Sequence, residues 1–153
     1  MTDVSEALKL ENQLCFPLYA ASREIIRRYH PVLSRIGLTY TQYITMMVLW
    51  DKKEATVKEL GRRLYLDSGT LTPVLKELEQ KGLVKRERSR DDERVLNVCV
   101  TGAGMELRTK AAVVPEAVAT CINLEPEESV ELYRLLYKLL ESGAGDGTAA
   151  KDN

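Results

Sequence analysis

Histidine is nearly absent from this chain: His30 is the only one in 153 residues. Cysteine is sparse as well, with Cys15, Cys99 and Cys121 far apart and no Cys-x-x-Cys pair. These shortages argue against a structural zinc site and against histidine-based acid–base or nucleophilic catalysis. No metal and no cofactor is expected. Three scattered cysteines do not make a disulfide scaffold either. No stretch approaches the roughly 18 apolar residues of a membrane span. Met1 to Asn12 has acidic residues and no apolar run, so it does not read as a signal peptide. The expected location is the cytoplasm, without membrane association. Charge of one sign is also lacking: 22 Lys and Arg stand against 23 Asp and Glu. Bulk charge therefore gives no hint of a polyanionic partner.

What is present is enough for one domain with a real core. Apolar spacing predicts a helix from Leu8 to about Ile36, with Leu14, Leu18, Ile25, Ile26, Val32 and Leu33 recurring on one face. Pro17 removes an amide donor there. Either the main helix starts just before Pro17 or its first turns are irregular. Pro31 suggests a kink and Gly37 a stop. A second helix is expected from Thr41 to about Trp50. Thr56-Val57-Lys58-Glu59 is a capping-box pattern that should open a third, running to Leu64. A fourth follows a short turn at Tyr65-Leu66. Asp67, Ser68 or Thr72 would cap it, Thr72 placing Pro73 at the first helical position. Leu71, Leu75 and Leu78 form its apolar stripe and Gly82 closes it. Leu83 to Ser89 and Arg94 to Thr101 read as strands around the polar turn Arg90-Asp91-Asp92-Glu93, making a β-hairpin. Two more helices are expected at 102–123 and 126–141, the latter opened by Pro126. Residues 142–153 lack any apolar period and read as a disordered tail. There is no internal repeat.

A short capped helix, a tight turn, a second helix and a basic hairpin describe a winged helix-turn-helix, in a fold that is mainly α with a small β-hairpin wing. Residues 41–101 carry this DNA-binding region. From Lys58 to Arg90 nine Lys and Arg face five Asp and Glu, so the cationic excess is local. A recognition helix needs small polar residues near its N-terminus to approach base edges. Ser68, Gly69, Thr70, Thr72 and Pro73 fit, with Lys76 a turn further. Arg86, Arg88, Arg90 and Arg94 bring cations to a groove or to phosphates, with Arg90 at the tip. Asp92 and Arg94 offer a second reading, in which they pair and stiffen the turn. A solvated charged face on a protein-interaction module is the competing account of the whole segment.

Cys15 has two readings on residues alone: a small buried hydrophobe, or a reactive thiol, since helix N-termini favour thiolates and tyrosines are at hand as hydroxyl donors. Tyr19 lies one turn beyond it on the same face. Tyr29 lies near that face too, but about 21 Å further along a continuous helix. It cannot reach its own Cys15, though it could reach that of a second subunit packed antiparallel, and Tyr40 could come from the same partner. Ordinary core packing is the alternative for these tyrosines.

Leu83-Val84-Lys85-Arg86-Glu87-Arg88-Ser89-Arg90-Asp91-Asp92-Glu93-Arg94, followed by Val98-Cys99-Val100-Thr101-Gly102-Ala103-Gly104, resembles the wing signature of the MarR regulators. The segments Tyr65 to Pro73, Leu14 to Ala20 and Gly37 to Tyr43 resemble one branch of that family, the organic-hydroperoxide-resistance regulators, of the two-cysteine type. The resemblance implies a homodimer whose interface is built from the terminal helices, about 8–36 and 102–141. It implies Cys15 as sensor of organic hydroperoxides, Tyr29 and Tyr40 as residues that hold it, and Cys121 as resolving thiol across two subunits. Cys99 reads as structural. Phe16 and its apolar neighbours would favour alkyl or lipid hydroperoxides over hydrogen peroxide. The implied function is a repressor, not an enzyme, that binds palindromic double-stranded operator DNA when reduced and leaves it when Cys15 is oxidised. The nearest alternative is a MarR-type repressor released by a small phenolic ligand, with Cys15 incidental. A thiol peroxidase finds no support, because no Thr-Pro-rich peroxidatic loop surrounds Cys15.

Overall fold

The computed structural model describes residues 4–144. Two compact units divide the chain, one ending at Ala119 and one beginning at Thr120. In the first, α1 (Val4–Ala7) and a single 3-10 turn (Leu10–Asn12) precede α2 (Cys15–Ser34). The main helix therefore starts just before Pro17 and not at Leu8. Proline is tolerated in a first turn, where its missing amide would have had no intrahelical partner. Pro31 falls in the last turn of α2, which ends at Ser34, and Gly37 takes φ 71° beyond it.

Next come α3 (Tyr40–Lys52), β1 (Glu54–Thr56), α4 (Val57–Leu64), α5 (Ser68–Gln80), β2 (Val84–Arg88), β3 (Leu96–Val100), α6 (Gly102–Ala111) and α7 (Val114–Ala119). The hairpin is thus part of a three-stranded antiparallel sheet ordered β1-β3-β2, with β3 in the centre. Ala55 pairs with Val98 and Arg86 with Val98 on its other side. β1 was not anticipated, because Glu-Ala-Thr is too short to show alternation. The helix expected over 102–123 is broken into α6 and α7. Pro115 explains the break: it removes the donor to the Ala111 carbonyl and its ring crowds that turn.

The core gathers Leu33, Leu38, Tyr43, Met46, Leu49 and Trp50 with Leu60, Leu71, Leu75 and Leu78, the sheet residues Val84 and Val98, and Leu107, Val114 and Val118. The N-terminal half of α2 contributes nothing to it: Phe16 is 42% exposed and Leu18 43%. The second unit holds α8 (Pro126–Ala144). Pro126 opens it, and the Glu128 carboxylate accepts from the Glu125 amide at 2.9 Å. Val130, Leu132, Tyr133, Leu135 and Leu139 all stand exposed along it. Residues 142–144 are helical and not tail; the rest of the expected tail, 145–153, lies outside the described residues.

Trp50 ties α3 to α6 through a 2.8 Å bond from its indole N–H to the Gly104 carbonyl. A Cβ at Gly104 would fall 2.2 Å from the Leu83 carbonyl oxygen and 2.7 Å from Val100 Cγ2. Gly104→Ala is expected to destabilise the fold by about 1–3 kcal/mol, as overpacking does. Urea unfolding followed by the fluorescence of Trp50, the sole tryptophan, measures it; an unchanged midpoint would show that β2 and α6 can separate freely.

Candidate nucleic-acid interface and thiol site

Thr56 caps α4, its hydroxyl accepting from the Glu59 amide at 3.0 Å. The reciprocal half of the expected capping box is not formed; Glu59 instead faces Arg63 at 3.6 Å. Tyr65 adopts φ 54° and the Leu66 amide returns to the Gly61 carbonyl at 3.0 Å. A side chain at Gly61 would meet the Leu66 carbonyl oxygen at 2.7 Å, so the turn closes tightly only over glycine. Asp67 is the cap of α5, accepting from the Thr70 amide at 2.7 Å and from its hydroxyl at 3.2 Å. That decides among the three candidate caps and leaves Pro73 inside the helix. Leu71, Leu75 and Leu78 are buried, which turns Ser68, Gly69, Thr70, Thr72, Pro73 and Lys76 outward. The Thr72 hydroxyl donates back to the Ser68 carbonyl at 2.7 Å.

The four wing arginines have different neighbours. Arg86 is the least exposed; its guanidinium meets the Glu79 carboxylate at 2.8 Å and its amide donates to the same group at 3.0 Å. It joins β2 to the end of α5. These contacts, the amide first, hold the Glu79 carboxyl below the usual range. Arg88 donates to the Glu93 carbonyl at 2.7 Å and closes the turn. Asp92 accepts from the Arg94 side chain at 3.1 Å and from its amide at 3.0 Å. Arg94 is nonetheless 90% exposed. Arg90 is exposed near the tip.

Cys15 is exposed and is the first residue of α2. Tyr19 is exposed one turn on, its hydroxyl accepting from Arg23 at 2.9 Å while that guanidinium lies 5.5 Å from the ring centroid. Tyr29 packs edge-on against Tyr40, with centroids 4.9 Å apart, and against Tyr43 at 6.0 Å. Burial pushes all three phenols up, and the neighbouring phenols add to this for Tyr40 and Tyr43. They therefore stay protonated at neutral pH and remain hydroxyl donors. Tyr43 was missed as part of this group; its spacing from Tyr40 on α3 was the available signal. Cys121 is exposed in the second unit, just beyond α7. Cys99 lies on β3 with its thiol 3.7 Å from Glu54. Burial, then the Glu54 charge, pushes that thiol up. Among the described residues no group of His, Cys, Asp and Glu is placed to hold a metal ion, and no helix is long and apolar enough to cross a membrane.

Residues 27–110 match the family model for the transcriptional regulator SarA/Rot. The chain is 44% identical over 142 residues to the organic hydroperoxide resistance transcriptional regulator of Bacillus subtilis strain 168, covering 93% of this chain and 97% of that protein. Among solved structures, reduced AbfR bound to DNA superposes with a TM-score of 0.77 at 37% identity, covering 94% of this chain and 98% of that one. Disulfide-formed AbfR superposes with a TM-score of 0.62 at 40% identity, covering 89% and 96%; AbfR is a Staphylococcus epidermidis protein.

The amide of Thr70, then its hydroxyl, lowers the Asp67 carboxyl from its ordinary value. A carboxylate whose folded value is depressed stabilises above its unfolded value, and that contribution is lost as pH falls through the folded one. Asp67→Ala is therefore expected to lower stability at pH 7 and to flatten its decline in acid. Asp67→Asn should keep the cap and lose only the pH dependence. Urea midpoints between pH 3 and 7 test this, and equal acid slopes in the original protein and Asp67→Asn would refute it.

Proposed function

The chain belongs to the MarR family of winged-helix transcriptional regulators, on the organic-hydroperoxide-resistance branch, and from that premise we propose that it is a redox-sensing repressor. As a reduced homodimer it binds palindromic operator DNA, and oxidation of Cys15 by an organic hydroperoxide releases it. The observation that carries this reading is the placing of Cys15. It is an exposed thiol at the first residue of a long helix, in a chain alike over nearly its whole length to a named organic-hydroperoxide-resistance regulator.

Two such chains complete what one cannot. Tyr29 lies about 21 Å along α2 from Cys15 at 1.5 Å per residue, so the Tyr29–Tyr40 pair serves the thiol of a second copy. Exposed Leu14, Phe16 and Leu18 at the start of α2 and Leu132, Leu135 and Leu139 on α8 supply apolar surface for that association. In the dimer two α5 helices enter successive major grooves about one turn, roughly 34–36 Å, apart. Ser68, Gly69, Thr70, Thr72, Pro73 and Lys76 face bases and backbone, while Arg88, Arg90 and Arg94 reach phosphates or the minor groove. Arg86 acts through Glu79, holding the wing against α5.

The Cys15 thiolate attacks one peroxide oxygen. An S–O bond forms, the O–O bond breaks, and the alkoxide leaves and takes up a proton as the alcohol. Sulfur has lost two electrons and becomes sulfenic acid. The Cys121 thiol of the other subunit then attacks that sulfur and displaces its oxygen as water, forming a disulfide. The support for this last step is the exposure of both thiols and the existence of a disulfide-formed AbfR among similar structures.

Band shifts with reduced protein and cumene hydroperoxide test the reading. Peroxide is expected to lower operator affinity, Cys15→Ser to bind and ignore it, and Cys121→Ala to react without forming a covalent dimer on a non-reducing gel. Undiminished binding after Cys15 oxidation overturns the repressor mechanism. Release of Cys15→Ser by a phenolic compound would favour a ligand-controlled relative. Arg90→Ala should weaken binding and lower the salt slope by about one, as titrations from low to moderate salt would show.

A further inference from the structure

Gln42 is the polar side chain least expected in the core. It is 1% exposed, and both the nitrogen and the oxygen of its side-chain amide are engaged. Its NH2 donates to the Glu77 carboxylate at 2.6 Å. Its carbonyl oxygen accepts from the Thr39 amide at 3.1 Å and from the Lys81 ammonium at 2.8 Å. Lys81 donates again, to the Gly37 carbonyl at 2.7 Å. Thr39 closes the other side by accepting from the Gln42 amide at 3.3 Å.

These bonds join two regions that the proposed function uses separately. Gly37, Thr39 and Gln42 form the corner between α2 and α3, and Tyr40 is the first residue of α3 within it. Glu77 lies in the last turn of α5 and Lys81 directly after it. Buried polar groups that are fully satisfied rigidify, because any displacement leaves a desolvated donor or acceptor unpaired. The apolar contacts between α3 and α5 resist separation but permit sliding, since dispersion is not directional. A side-chain amide held on both edges does not permit it.

We propose that Gln42, Glu77 and Lys81 form a clamp that makes the Tyr40 corner and the recognition helix move as one body. It thereby passes a displacement of Tyr40 to the DNA-reading face. Gln42 is a positioning residue: it touches neither thiol nor DNA. The redox part of this proposal rests on the reading of Cys15 and Tyr40 given above, while the mechanical part does not.

Lys81→Met and Glu77→Ala test it in the full dimer, because both side chains are exposed enough to change without loss of the core. Glu77→Gln is the conservative control, since its carbonyl still accepts from Gln42. Three quantities are read: the rate of Cys15 oxidation by cumene hydroperoxide, the ratio of operator affinities before and after oxidation, and amide exchange over residues 38–43 with and without operator. Both disrupting variants should fold, bind operator when reduced and oxidise within about twofold of the unaltered rate. Their loss of affinity on oxidation should be smaller by about fivefold or more, within the usual range of coupling factors. Glu77→Gln should keep the full effect. Operator bound at α5 should slow exchange over 38–43 in the unaltered protein and not in Lys81→Met.

An unchanged affinity ratio in Lys81→Met and Glu77→Ala overturns the clamp, and so does equal operator protection in all variants. If the unaltered protein keeps its operator after oxidation, the redox reading fails and exchange alone decides: protection lost in Lys81→Met supports the clamp, and protection retained or never present overturns it.

Discussion

An unbroken helix cannot bring its own ends together, and the arrangement of this molecule follows from that. α2 carries Cys15 on its first turn and Tyr29 on its fourth, separated by about 21 Å of rigid rise. The C-terminal half of α2 is held in the core by Leu33, with Tyr29 packed on Tyr40 and Tyr43. The N-terminal half, with Phe16 and Leu18, and Leu14 just before it have their apolar side chains exposed. Thiol and tyrosines are thereby kept apart within one chain, each with an apolar surround. Fully burying a large apolar side chain is worth about 1.5–3 kcal/mol. The half-dozen exposed on α2 and α8 would bring on the order of 10 kcal/mol, the same scale as the cost of association. The proposed second copy would satisfy both the chemistry and the surface.

The local grammar of the fold is legible in the sequence. Gly37 and Gly82 end helices at φ 71° and 72°, Thr56 and Asp67 cap them, and Leu71, Leu75 and Leu78 mark the buried stripe of α5. These signals are local, and local physics decides them. What escaped is decided by partners distant in sequence. Residues 54–56 become a strand only because β3 offers a free edge. Leu18 and Leu33 both recur at helical spacing on α2, yet one is 43% exposed and the other 1%; periodicity marks a face and not what covers it. Gln42 completes a capping box with Thr39, but its ties to Glu77 and Lys81 span 35 and 39 residues. Pro115 is a local signal as well, and it divides the stretch expected as one helix into α6 and α7.

The wing shows how charge pairing and charge function coexist. Exposed ion pairs contribute about 0–1 kcal/mol, so the Asp92–Arg94 pair is easily exchanged for a phosphate while it orients Arg94 beforehand. Arg86 is different in kind. Its guanidinium and its amide both bind one carboxylate, and it is mostly covered, so exchange would break several contacts together. One hairpin thus holds both a fastener, on β2, and a movable cation, in the turn before β3. A net charge of −1 for the whole chain is compatible with a DNA-facing surface because Lys58 to Arg90 carries nine Lys and Arg against five Asp and Glu.

A regulator of this design must be stiff in one place and loose in another. If the winged region deformed, a change at Tyr40 would dissipate before reaching α5. If the region around Cys15 were equally stiff, oxidation would change nothing. The structure distributes its bonds accordingly. From Gly37 to Gly104 the elements are joined by buried and part-buried hydrogen bonds, a three-stranded sheet and a continuous core. Before Cys15 there is a one-turn helix and a 3-10 turn with no buried residue in either. A coupling of about 1–3 kcal/mol changes affinity five- to 150-fold. That is no more than one or two buried hydrogen bonds to charged groups contribute, and Gln42 accepts from one such group and donates to another. The clamp is therefore strong enough to carry the signal without being the largest contribution to stability.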